Sequence, residues 1–269
     1  MKLYRPLLVC LGLMATVMPV NAAQDTATAE LQQDGWYRWQ IDAVHPAPDW
    51  CCHSWKSSQV GGGGCDLDSR NQGFSSSGRS NANYVGDLMD IYARMEQGRM
   101  SELRAFSPDC PVRSDSDIKD LGHMDATDSL ALLQSAGVSK KSTSDQRIAV
   151  LAVHAGPEAG DILSRMAADT SSKLETRKQS VFWMAQLRFA ESREQLLQII
   201  EQEPSAELRE HAAFSYSQSD APDRVEVLIG IIEDRQRDFS DRSNALFWLA
   251  ESDSREGVDY IQNLLTARN

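Results

Sequence analysis

Thiols and imidazoles are the side chains best suited to metal binding, redox chemistry and cross-linking, and here Cys51, Cys52, His53 and Cys65 stand close together with Cys110 beyond them. Thiolate and imidazole are zinc ligands. Adjacent cysteines, however, rarely place both sulfurs on one tetrahedral ion, no C-x-x-C pair is present, and Cys-Cys-His is not the haem-attachment motif. The four cysteines read instead as two disulfides. A Cys51 to Cys52 bridge would be a strained vicinal one, so each of these two reaches to Cys65 or Cys110, with both pairings open. No metal is expected.

No other cluster has the spacing of an active site. The histidines His45, His53, His123, His154 and His211 lack a pattern such as H-E-x-x-H, and His154 and His211 fall in helical stretches where a structural role is expected. Ser116-Asp-Ile-Lys119 matches S-x-x-K without its S-D-N and K-T-G partners. Gly73-Phe-Ser-Ser-Ser-Gly78 has the wrong spacing for a nucleophile elbow, and the glycines at 61–64 are not followed by the Gly-Lys-Ser/Thr of a phosphate cradle. Asp66 and Asp68 lack the rest of a calcium loop and read as a solvated loop. The chain is therefore expected to be no enzyme, with no catalytic residue and no cofactor.

The elements around these residues begin with an export signal. Lys2 and Arg5 precede an apolar run over residues 7–20, and Val20-Asn21-Ala22 resembles a cleavage site, so residues 1–22 read as a secretory signal peptide. The run is shorter than the ~20 residues a spanning helix needs, and Cys10 lies inside it rather than closing it as a lipid-attachment cysteine would. A periplasmic protein of a Gram-negative bacterium, or a secreted one, is expected, with no membrane insertion after signal removal. Among 269 residues, 39 are acidic and 27 basic, a net charge of −12; losing residues 1–22 removes two basic residues and no acid, giving −14. Phosphate binding draws on clustered Lys and Arg, so nucleic acid is excluded as the main partner, and a basic or neutral one is expected.

Residues 30–113 hold four of the six tryptophans and all four of these cysteines, and they predict a small β-rich domain. Residues 36–41 read as a strand and residues 88–106 as a hairpin turning at Gln97-Gly98. Residues 61–64 and 73–80 read as loops. Alternation sets Trp36 on one strand face and Tyr37 with Trp39 on the other, one for a core and one for a surface patch; core packing around the disulfides is the default expectation, with a carbohydrate or peptide interaction surface through Trp36, Tyr37 and Trp39 as the alternative. Residues 114–143 read as a linker with one helix, N-capped by Asp125, carrying Leu130, Leu132 and Leu133 and ending near Gly137.

From residue 144 the chain repeats itself. Segments starting at Arg147, Arg177, Arg209 and Arg242, with a period slightly over thirty, each place small and then large apolar residues after the arginine. Each is followed by a second apolar helix, over residues 162–166, 196–200, 225–232 and 258–265. Trp183 and Trp248 share one repeat position beside Phe182 and Phe247, and inter-repeat core is the expectation for Val181, Trp183, Ala213, Phe214, Leu246 and Trp248. Arg177, Arg209 and Arg242 form either a basic seam on an interaction surface or, as Glu175, Glu207 and Asp241 beside them suggest, internal supports.

Residues 144–269 resemble the HEAT-repeat family, as in an exported bacterial HEAT-repeat domain-containing protein. The acidic residue that commonly precedes the arginine by four positions is present only as Asp238; the others are Thr143, Lys173 and Ser205. The resemblance implies an all-α solenoid of about four helix pairs, each burying its apolar face against the next. The expected fold class is α+β: a small disulfide-bonded β-rich domain followed by this solenoid. The expected role is a non-enzymatic scaffold docking an envelope protein. The alternatives are a lyase-like or ligand-binding protein holding a tetrapyrrole in the solenoid groove, or thiol and metal handling through Cys51, Cys52 and Cys65.

Overall fold

The computed structural model describes residues 31, 33–54, 65–69, 72–75 and 86–266. The signal peptide with Cys10, Trp55 and the glycines at 61–64 lie outside the described residues. The fold is mixed, a small β region followed by helices.

Its centre is a four-stranded sheet of β1 (Gly35–Asp42), β5 (Leu88–Glu96), β6 (Arg99–Phe106) and β8 (Ile118–His123), in the order β6-β5-β1-β8. β1 pairs antiparallel with β5 and parallel with β8. The β5–β6 hairpin turns at Gln97 and Gly98, both with positive φ (54° and 70°), the backbone of the two-residue turn whose twist matches its strands. β2 (Cys51–Ser54) pairs with β4 (Gln72–Ser75), and β3 (Cys65–Asp66) with β7 (Val112–Arg113). β4 corrects the expectation of a loop over 73–80: antiparallel pairing with the cysteine strand gives this glycine- and serine-rich stretch a partner that its composition does not announce. Residues 76–80 lie outside the described residues.

The helices are α1 (Ala126–Ser135), α2 (Lys141–Ala152), α3 (Pro157–Ala168), α4 (Leu174–Leu187), α5 (Phe189–Gln202), α6 (Ala206–Ser217), α7 (Arg224–Glu233), α8 (Phe239–Ala250) and α9 (Arg255–Thr266). Asp125 caps α1 as expected, accepting from the Asp128 amide at 3.1 Å. Residues 114–143 hold β8 as well as this helix. α2 packs on α4, α4 on α6 and α6 on α8, while α3, α5, α7 and α9 lie against them.

Alternation along β1 places its side chains as the sequence predicts, but neither face is left free. Tyr37, Trp39 and Ile41 join one hydrophobic core with α1, α2 and the later helices. Trp36, Tyr92 and Phe106 pack on the opposite face against Cys51, Cys65, Leu67 and Cys110. Trp36, Tyr37 and Trp39 are therefore at most 1% exposed; they pack in the core, as the default expectation has it, and the alternative of an interaction surface is corrected: helices cover one side of the sheet and the disulfide-linked strands the other. Asp68 belongs to that cover, accepting from Trp36 Nε1 (3.1 Å), Ser114 Oγ (2.7 Å) and the Asp115 amide (2.8 Å). Backbone bonds join sheet to helices, from Val44 N to Val153 O (2.8 Å) and from Ala155 N to Asp42 O (2.9 Å).

Candidate functional site

The repeated arginines do one job. Carbonyls in the last turn of a helix have no intrahelical donor, and a cation suits the negative end of the helix. Arg177 Nε donates to Ala167 O at the end of α3 (2.8 Å), Arg242 Nε to Ile232 O in α7 (2.9 Å), and Arg209 Nη1 to Glu203 O beyond α5 (2.9 Å). Arg147 donates to Ala136 O beyond α1. Carboxylates reach two of them from further along the chain: Glu203 meets Arg177 at 2.8 Å, and Asp241 meets Arg209 at 2.8 Å with Asp238 at 3.2 Å. The hydrogen bond that Arg209 donates to the Asp241 carboxylate holds its guanidinium above its ordinary pKa. A basic seam is thus corrected: Arg177, Arg209 and Arg242 already have protein acceptors, and Arg177 is buried. The acidic partner predicted for Arg242, Asp241, serves the arginine of the preceding repeat.

Of the expected repeat core, Val181, Trp183 and Ala213 are buried, and Phe214 and Trp248 are half-buried. Leu246 is a correction, 37% exposed: it lines an open groove between α8 and α9 rather than a closed contact between repeats. The aromatic residues nevertheless form a row across the helices. Trp50, just before β2, meets Trp183 edge-on (5.4 Å), Trp183 meets Phe182 (5.1 Å), Phe182 stacks on Phe214 (6.2 Å), and Phe214 meets Trp248 (4.5 Å).

Where this row crosses from α6 to α8 it floors a cleft of about 260 Å³. Phe214 and Trp248 supply ring surface; Lys178 of α4, Glu207, Glu210 and His211 of α6, and Asn244 of α8 supply the polar walls. Lys178 is held by Glu207 (3.2 Å), and Asn244 Nδ2 donates to Glu210 (3.4 Å). His211 Nε2 and Asn244 Oδ1 are buried there without hydrogen-bond partners. Burial lowers the His211 pKa, which favours the neutral ring. With Glu207 already paired to Lys178, the Glu210 carboxylate and the unsatisfied Asn244 amide oxygen are the acceptors the cleft offers over its aromatic faces, and they suit an ammonium or guanidinium group.

Two polar networks lie elsewhere. His154, expected within a helix, follows the end of α2. Its Nδ1 is 2.8 Å from Val150 O, so Nδ1 carries the hydrogen, and Nε2 is 2.8 Å from Ser129 Oγ, which also accepts from Trp39 Nε1 at 2.8 Å. Arg188, which no motif marked, is buried and donates to Ala152 O (3.1 Å), Gly156 O (3.0 Å) and His154 O. The first joins β1 to α1 and the end of α2, and the second ties the start of α5 to the end of α2 and the turn after it.

The cysteines pair as Cys51–Cys110 and Cys52–Cys65, one of the two open connectivities. The sulfurs of Cys51, Cys65 and Cys110 lie within 4.8 Å of one another, but disulfide sulfurs are not thiolates, the form that ligates metal. No helix among the described residues is long and apolar enough to cross a membrane. Comparison with family models, curated proteins and solved structures finds no match.

Proposed function

We propose that this chain is an exported, non-enzymatic docking module whose helices form a HEAT-like solenoid, and that the cleft between α6 and α8 seats a basic side chain of an envelope protein. The cleft carries the reading, with aromatic floor, carboxylate walls and unsatisfied acceptor. The regular arginine caps and the packing of α2, α4, α6 and α8 support the solenoid, because each helix pair leans on the next as in repeat proteins. The disulfides and the signal-like segment that opens the chain support export, and the charge of −12 favours a basic partner. A stack of packed helices loses little ordering entropy on binding.

The test is crosslinking capture from the native envelope with wild type, Trp248→Ala and Glu210→Lys, each checked for native circular dichroism. A basic protein retained by wild type and reduced about 10-fold or more by both variants is the expected result, a hot-spot effect of about 1.4 kcal/mol or more. Equal capture by all three, or capture of acidic proteins, would overturn the proposal.

A further inference from the structure

The large hydrophobic side chains that stand exposed among the described residues are Phe239, Leu246, Phe247, Val258, Leu264 and Leu265, all on α8 and α9. On α8, Phe239 and Leu246 are seven residues apart and share a face; on α9, Val258, Ile261 and Leu265 follow i, i+3, i+7. That spacing is the stripe of a helix that packs on something; Ile261 reaches the core, but Val258 and Leu265 at either end of the stripe stay exposed, and the one fully buried residue of α9 is Gly257. Without a Cβ, Gly257 lets α9 lie against Leu249, where an added carbon would stand 2.9 Å away. Phe239, Leu246, Leu264 and Leu265 line a groove of about 630 Å³ between the two helices and the end of α7.

Leaving out Phe247, which stands against Trp248, the exposed fractions, from 81% at Phe239 to 37% at Leu246, correspond to on the order of 400 Å² of apolar surface at ordinary side-chain areas. Interfaces between identical chains are about 65% apolar, so such a patch implies about 600 Å² per partner, approaching the ~800 Å² of a stable pairing. The rim carries both signs, Glu233 and Arg235, so like charge does not oppose its pairing with itself. At the opposite end of the helix array the sheet covers the helices, with α2 packed on β6. Among the described residues there is therefore no second exposed apolar patch to accept this one head to tail, and a closed two-fold contact is the arrangement left.

We infer that two copies of this chain associate through the α8–α9 face, each laying its Phe239 and Leu265 edge into the other's groove. The inference does not depend on the cleft at Trp248. Because the copies are both acidic, added salt screens their long-range repulsion and tightens the pair, opposite to a contact held by ion pairs.

Sedimentation equilibrium of the exported form, without residues 1–22, from about 1 to 100 µM at low and high salt tests this together with Leu265→Glu and Phe239→Asp. Both side chains are well exposed, so the variants keep the wild-type circular dichroism. The expected wild-type mass is twice that of the monomer within this range, more completely so in high salt, and each variant weakens association about 30-fold or more, the loss of an interface hot spot. A wild type that stays monomeric at about 100 µM, even if it binds another protein, overturns the inference. So does a dimer whose affinity both variants leave unchanged.

Discussion

Lowering the pH from about 7 to 5 should destabilise this protein through His154. The ring is fully enclosed: Nδ1 donates to Val150 O, Nε2 accepts from Ser129, and Arg188 donates to the residue's own carbonyl. Burial lowers its pKa from 6.5 to about 4, and the nearby Arg188 charge acts the same way. The unfolded chain takes up a proton near pH 6.5 that the native chain refuses until about pH 4, so the unfolded state binds more protons throughout that window. Stability therefore falls as pH drops through 6.5 and levels off below about 4. A shift of 2.5 units at 1.36 kcal/mol each is about 3 kcal/mol in total, of which about 2 kcal/mol is lost by pH 5. Urea unfolding of wild type and His154→Gln at both pH values checks this, because glutamine does not titrate. Wild type should lose about 2 kcal/mol more than the variant, the share of the linkage that falls between these two pH values. Equal losses would refute the reasoning, since the acid sensitivity would then belong to other groups.

The disulfides close loops of 59 and 13 residues, so removing Cys51–Cys110 by paired serine substitution should cost about 4 kcal/mol and removing Cys52–Cys65 about 3 kcal/mol in the chain-entropy account, read from unfolding under non-reducing conditions. Arg177→Met strands the little-exposed Glu203 carboxylate and should cost about 3 kcal/mol, while adding Glu203→Met should restore much of it; a double variant no better than the single would show that the carbonyl cap, not the ion pair, dominates. Gly98→Ala forces a side chain onto a φ of 70° and should cost about 1 kcal/mol in a thermal melt.

What could be read from the chain is what depends on near neighbours. Apolar and polar residues alternate along β1 and β5, Gln97-Gly98 supplies the turn, and arginines recurring at intervals of just over thirty residues mark where helices must be capped. What could not be read depends on distant partners. β8 has Lys119 and Asp120 where a strand pattern wants alternation, and it is a strand because β1 offers it a parallel edge. Arg38, Asp90 and Arg94 give one sheet face a solvated look, yet Arg38 pairs with Asp90 at 2.8 Å and the disulfide-linked strands cover Trp36 beside them. Leu246 matches Val181 in character, but Val181 has α6 and α8 beyond it in the array while Leu246 faces the open groove beside α9. The Trp39, Ser129 and His154 network joins positions 90 and 25 residues apart, a separation over which no local pattern carries information.

The two proposed contacts share α8 without competing for it. Each residue advances about a quarter turn and a little more around a helix, which carries Asn244 and Trp248 to the side of α8 facing away from Phe239. The cleft and the apolar groove therefore occupy opposite faces. A pair joined through the groove keeps both clefts open and presents two seats for basic side chains. If the partner is itself multivalent or dense on a surface, the second contact forms at high effective concentration and strengthens attachment by about 10²-fold or more without new chemistry. Leu265→Glu separates the effects: on a sparsely coated sensor it should bind the partner as wild type does, and on a dense one it should dissociate far faster. Equal dissociation on the dense surface would mean that the two faces do not work together, and equal loss at both densities would place Leu265 in the partner's own contact.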